Sequence, residues 1–336
     1  MYKNSFIMCF FTGCRYLYHL YRSILNRILG TPPKYLQGSQ DHSYVELYDQ
    51  QANDYIFNLL SSGSPCMVSK FGTIELNMLA QLRIINNGGY HLKDIKSFIM
   101  GKIPRIELTD ALSHLINNAG FFPNNESLLP NYYEENINAI RNIDVLGSYV
   151  SSEMLFNKDL SGAKRVNLDG YYAPFYWERP WTRILEGKKV LVIHPFSEEI
   201  MSQYRNNRKR IWTNPEVLPE FELITYKAVQ SILGVQTEYA SWFDALQKMK
   251  DDIALIDFDI ALVGCGAYGM PLAAYCKILG KQAIHLAGWL QVLFGIIGKR
   301  WENNPRVSPL INEYWIRPFD CNVPKDAVMV EDACYW

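Results

Sequence analysis

Four groups of residues in this 336-residue chain have the types and spacing to do chemistry. The first is Lys70-Phe71-Gly72-Thr73-Ile74-Glu75, a cation ending an apolar run, a glycine turn, and a carboxylate just beyond it. The second is Gly264, Gly266 and Gly269 in G-x-G-x-x-G spacing, with Tyr268 inside the turn. The third is the pair His194 and His285, each closing an apolar run. The fourth is Gly288 and Gln291, followed by the glycine-spaced basic loop Gly295 to Trp301 with Lys299 and Arg300. A carboxylate such as Glu75 serves as a base or a metal ligand, or simply faces a helix dipole. Backbone amides of a glycine turn at a helix N-terminus accept phosphate or sugar oxygens. Lys70 reads as a phosphate contact or as a solvated edge charge. The two histidines are placed for a site, or equally are hydrogen-bonded turn residues.

These groups need elements to position them. Asp259 to Gly288 reads as one βαβ unit: the apolar run Ile260–Val263, the glycine turn, a helix over Leu272–Leu279, and a second run Gln282–Leu286. Pro271 suits a first helical turn, and Gly280 suits a helix stop. A right-handed crossover places the glycine turn at the carboxyl edge of a parallel sheet, where open α/β sheets bind ligands. A dinucleotide site needs an acid about 20 residues on, at the end of the second strand. That strand ends His285-Leu286-Ala287-Gly288-Trp289, so a nest for phosphate or sugar is preferred, with a ligand-free tight turn as the plain alternative.

Other segments repeat the pattern. Cys66–Phe71 reads as a strand and Ile74–Ile85 as a helix, with Thr73 as its N-cap. Val190–Ile193 is a strand ending His194-Pro195, and Phe221–Thr225 is another. Helices are expected over Leu108–Ile116, Tyr133–Ile140, Lys227–Leu233 and Trp242–Met249, and a short strand over Asp144–Gly147. Ser43 and Glu46 form a capping-box pattern before a helix with Leu47, Tyr48, Tyr55, Ile56, Leu59 and Leu60 on one face. Gln203–Arg210 reads as a solvated basic helix face, or as a partner for a diphosphate. Lys164–Glu186, rich in aromatics and proline, is expected to cross the surface and line a cleft. The proline-rich stretch after Asn303 is expected to wrap the body.

Basic and acidic residues balance, 33 against 34, which argues against nucleic acid as a partner. The 22 Tyr, 16 Phe and 8 Trp suit a sugar cleft or plain packing. Seven cysteines without a C-x-x-C pair point to a reducing, cytoplasmic compartment and to no structural zinc. Residues 5–14 are apolar but too short to span a bilayer. Lys3 ahead of this run and Phe11-Thr12-Gly13-Cys14 resemble secretion signals, a reading the rest of the chain does not favour. Leu17, Leu20, Ile24 and Ile28 recur at helical spacing with Arg15, Arg22 and Arg27. Residues 5–29 are therefore expected to contact a membrane surface peripherally, at the inner face of the plasma membrane, or to pack on the body. Thr31-Pro32-Pro33 reads as a linker.

Together, KFGTIEL, GKKVLVIHPF, the 259–288 unit and QVLFGIIGKRW resemble a family found in bacterial surface-polysaccharide biosynthesis, similar to GT-D-type glycosyltransferases. The resemblance covers about residues 64–302. It implies an α/β, Rossmann-like fold: a mostly parallel sheet flanked by helices, here with an N-terminal helical extension. The implied organisation is an amphipathic segment and linker (1–33), a transferase domain (34–302) and a wrapping tail (303–336). The implied activity moves a sugar from a nucleoside diphosphate sugar to a polysaccharide or lipid-linked glycan, with Mn or Mg as the metal and no NAD. In the family, a strand ends Arg-Phe-Gly-Asp-Gly-Glu. Lys70 takes the Arg position, Phe71 and Gly72 match, and Glu75 takes the Glu position, as catalytic or metal-linked carboxylate. Thr73 and Ile74 replace Asp and Gly, so the Asp-x-Glu pair is broken. Ala287-Gly288 stands where the family has Gly-Gly. Donor binding is assigned to Lys70, Gly72, Thr73, His194, Gly264, Gly266, Tyr268, Gly269, His285, Gly288, Gln291, Lys299 and Arg300. Two rival readings remain: a Rossmann enzyme using NAD or S-adenosylmethionine, and a non-catalytic nucleotide-sugar-binding partner in polysaccharide assembly.

Overall fold

Short runs of apolar residues, too brief for helices and too continuous for half-exposed strands, build the centre of this chain. A computed structural model of the protein describes residues 5–29, 44–89, 91–103, 108–330 and 333–336. Seven strands form one all-parallel sheet: β1 (Cys66–Ser69), β2 (Val145–Gly147), β3 (Lys164–Val166), β4 (Lys189–His194), β5 (Glu222–Lys227), β6 (Ile260–Val263) and β7 (Gln282–His285). Their order is β3-β2-β1-β7-β6-β4-β5, and helices flank both faces, a Rossmann-like α/β architecture.

Alternation along the strands sorts side chains into two cores. Met67, Leu191, Ile193, Ala261, Val263 and Ala283 point into one, and Val68, Val190, Val192, Ile260, Leu262 and Ile284 into the other. The first core is covered by α3 (Thr73–Asn86), α5 (Leu108–Ala119), α6 (Leu129–Ile140), α9 (Trp242–Ala254) and α10 (Gly269–Ile278). The second is covered by α2 (Asp49–Ser61), α8 (Ser197–Ile211), α11 (Trp289–Leu293) and side chains of the tail, including Val307, Trp315 and Val330. Side chains of the tail are thus part of this second core. Helix α10 stops as its glycine predicts: Gly280 takes φ +80°, and its N–H and that of Lys281 reach the carbonyls of Lys277 and Cys276. Helix α1 (Ser5–Ile28) lies outside, against α4 (Leu92–Ile99).

Several expectations need correction. Strand β1 ends at Ser69, so Lys70 and Phe71 lie in the turn. Gly72, not Thr73, is the N-cap of α3. Lys227–Leu233 is not a helix: β5 runs to Lys227, the Ser231 hydroxyl binds the Gly120 carbonyl, and only Ile232–Gly234 makes a single tight turn. The segment 164–186 does not merely cross the surface. It supplies β3 and buries Tyr171 and Trp181 completely. Helix α2 begins at Asp49, past the capping-box pattern; Ser43 lies outside the described residues, and Glu46 instead pairs with Lys164. Tyr48 and Tyr55 are exposed, because the buried face of α2 is Ala52, Asn53, Ile56 and Leu60. Lys3, the Thr31–Pro33 linker and the boundary after residue 33 also lie outside the described residues.

Candidate functional site

The carboxyl ends of β1, β7, β6 and β4 lie side by side, and the chain leaves three of them directly into helices. β1 feeds α3, β4 feeds α8, and β6 feeds α10 through a short turn over Gly266–Tyr268. Three helix N-termini therefore gather at one sheet edge, an arrangement that favours anions. Connections leave β4 and β6 in opposite directions, so the topological switch point lies between them.

At the β1 end the polar residues converge. The Glu75 carboxylate folds back over Gly72, where a Cβ would lie 1.9 Å from its Oε2. This contact requires glycine at 72. Burial raises the Glu75 pKa; its own backbone N–H and the Lys70 charge pull the other way. Burial lowers the Lys70 pKa, Glu75 opposes this, and Arg300 adds to it. Lys70, Glu75 and Arg300 thus share one electrostatic neighbourhood. Lys70 Nζ donates to the Phe71 carbonyl at 3.3 Å and lies 5.5 Å from the Tyr149 ring centre. Tyr149, which sequence reasoning missed, donates to the Phe71 carbonyl at 2.9 Å. With that proton committed, the Thr73 hydroxyl donates to Tyr149 across 3.0 Å. Glu153, also missed, is buried and braces the Tyr149 segment by accepting from the Ser148 hydroxyl and the Tyr149 and Val150 amides. The only local signal was a polar run, Ser148 to Glu153, directly after a short strand.

Beneath this cluster the histidines are packed. His285 is 4% exposed; its Nδ1 meets the Ser69 hydroxyl at 3.0 Å, while its Nε2 is buried with no hydrogen-bond partner. His194 accepts at Nδ1 from the Phe196 amide at 2.9 Å. Burial lowers both pKa values to about 3, so both rings are neutral near pH 7. The Lys70 charge adds to the effect at His285. The glycine turn is closed by protein atoms. A Cβ at Gly264 would lie 2.5 Å from the Ala287 carbonyl, at Gly266 2.9 Å from the Ala119 carbonyl, and at Gly269 2.3 Å from His285 Nε2. Close packing accounts for all three glycines, which favours the tight-turn alternative over the nest. Ala287 takes φ +51°, a left-handed value where glycine would be relaxed.

The remaining residues divide. Tyr268 faces the core, stacked on Trp242 with its hydroxyl 3.2 Å from that of Ser231. Gln291 is buried and donates to the Tyr335 carbonyl at 3.1 Å. Neither reaches the charged cluster by these contacts. Tyr335 packs on Gly288, where a Cβ would lie 2.7 Å from its ring, and Arg300 lies 4.8 Å from the centre of that ring. The tail therefore roofs the β7 end beside Arg300. Lys299 is exposed, and its backbone N–H donates to the Trp336 carbonyl.

Among the described residues, no three His, Cys, Asp or Glu side chains gather as metal ligands. The charge that bears on Glu75 is the Lys70 cation, and the Thr73 hydroxyl is committed to Tyr149. This donor set does not fit Mn or Mg, which seek several oxygens. Two surface grooves of about 420 and 410 Å³ lie elsewhere, one between α2 and Glu178–Arg183 and one along α5. Neither is lined by a residue of the charged cluster. Compared with protein-family models, with curated proteins and with solved structures, the chain finds no match in any of the three.

Proposed function

We propose that this chain is a glycosyltransferase that moves a sugar from a nucleoside diphosphate sugar to a glycan or lipid-linked acceptor. The observation that carries the proposal is the neighbourhood of Lys70, Glu75 and Arg300 at the carboxyl end of β1, among three helix N-termini. Transfer forms a bond from the acceptor oxygen to the anomeric carbon and breaks the bond from that carbon to the diphosphate. The acceptor proton goes to Glu75, whose raised pKa brings it closer to that task. The negative charge on the departing diphosphate is met by Lys70, Arg300 and the α3 N-terminus. Gly72 leaves room for the carboxylate, and Tyr149 holds Thr73 and the Phe71 carbonyl in place.

Cys14, Cys66, Cys265, Cys276, Cys321 and Cys334 are free thiols, which is compatible with a cytoplasmic setting. A second reading, a nucleotide-sugar-binding partner without turnover, is favoured by the lone carboxylate. The test is a thermal-shift screen of nucleotide sugars, followed by a transfer assay with wild-type protein and Glu75→Gln. A shift with one donor, transfer by the wild type and loss of transfer in the folded variant are expected. Donor binding without turnover would support the second reading. No shift with any donor would refute both.

A further inference from the structure

Helix α1 turns its apolar stripe away from the protein. At about 100° per residue, Phe10, Leu17, Tyr21, Ile24 and Ile28 fall on one narrow arc, and all are exposed, Leu17 to 63% and Ile28 to 75%. The opposite arc meets the body. Arg15 donates to the Ile103 carbonyl at 3.0 Å and lies 5.0 Å from the Phe98 ring centre, and the His19 ring takes the Cβ space of Gly101. A surface helix ordinarily packs the other way round, with its apolar side inward.

Charge selects what covers this stripe. The helix contains no acidic residue and three arginines. Arg27 is exposed and borders the stripe, while Arg22 is half-buried on the body side beside Arg15. A second copy would bring Arg27 against its like charge with no carboxylate between them, whereas an anionic lipid surface complements both Arg27 and the stripe. Among the described residues no helix is long and apolar enough to cross a membrane. We propose that α1 lies in the plane of an anionic phospholipid surface, stripe inward, and docks the protein there.

The docked helix is tied to the candidate site. Ile103 follows Lys102, whose carbonyl accepts from the Ser151 hydroxyl at 2.8 Å, and Ser151 lies two residues past Tyr149. These bonds join the docked helix to the segment that holds Tyr149; the docking itself does not rest on the transferase reading.

The test is vesicle flotation of the full chain, with phosphatidylglycerol–phosphatidylcholine vesicles against phosphatidylcholine alone, at low and high salt. Binding to the anionic vesicles, weakened by salt, is expected. Leu17→Glu/Ile24→Glu and, separately, Arg27→Glu should each weaken it about tenfold or more. Circular dichroism of each variant checks the fold. Equal binding to both vesicle types, unchanged binding by the variants, or a dimer that Leu17→Glu/Ile24→Glu dissociates would overturn the proposal. Transfer to a water-soluble acceptor without vesicle binding would refute docking alone. Vesicle binding without transfer would refute only the transferase reading.

Discussion

Acid should unfold this protein partly through its two buried imidazoles, and His285→Asn should remove one share of that sensitivity. Burial lowers the pKa of His194 and His285 from 6.5 to about 3. As pH falls through 6.5 the unfolded chain takes up a proton at each histidine, while the folded chain stays neutral until near 3. The unfolded state therefore binds more protons across that window, and stability falls as pH falls. Between pH 8 and pH 5 the linkage is about 2 kcal/mol for each histidine, or about 4 for the pair. That is a large share of a typical net stability of about 5–15 kcal/mol. Glu75 and Glu153 act in the opposite direction. Their raised pKa values let the folded state take up protons before the unfolded chain does as pH falls. Comparing wild type with His285→Asn cancels these terms. The assay is urea unfolding of both proteins at pH 8 and pH 5. The wild type should lose about 2 kcal/mol more than the variant on acidification. Equal losses would refute the claim that the fold holds His285 neutral.

Gly264→Ala puts a methyl 2.5 Å from a backbone carbonyl that cannot swing away, and should destabilise by about 1–3 kcal/mol in urea unfolding. Gly162→Ala, with no atom within 4 Å of its Cβ position, is the matched control and should stay within about 0.5 kcal/mol of wild type. Asp159, nearly buried, holds both Arg83 and Arg141; Asp159→Asn should cost about 3 kcal/mol, measured the same way. Tyr149→Phe removes the hydroxyl between Thr73 and Phe71, and should lower stability by about 1 kcal/mol while raising the KM for the nucleotide-sugar donor. An unchanged KM would detach Tyr149 from the site.

Much of the sheet was readable because buried parallel strands must be apolar over their whole length. Ile260–Val263 matches β6 residue for residue, and the glycine turn and Gly280 bracket α10 as their backbone needs predict. Strand β3 was not readable: Lys164-Arg165-Val166 is a short edge strand with two charges and one fully buried residue. The 228–234 segment failed for another reason, since apolar spacing there reflects packing of an irregular chain.

The candidate site divides along the same line. Sequence alone determined that a cation, a glycine and a carboxylate sit where a strand becomes a helix, because those positions are neighbours in the chain. It also determined the amphipathic character of α1. Only the tertiary structure brought Tyr149 against Phe71 across 78 positions and Tyr335 over Gly288, and buried His194 and His285 beneath them. It alone decided that Gly264, Gly266 and Gly269 face protein atoms, and that α1 turns its apolar stripe outward. Local sequence dictates backbone conformation and side-chain period. What fills the space beside a residue depends on segments far along the chain, and that packing decides burial, charge state and access.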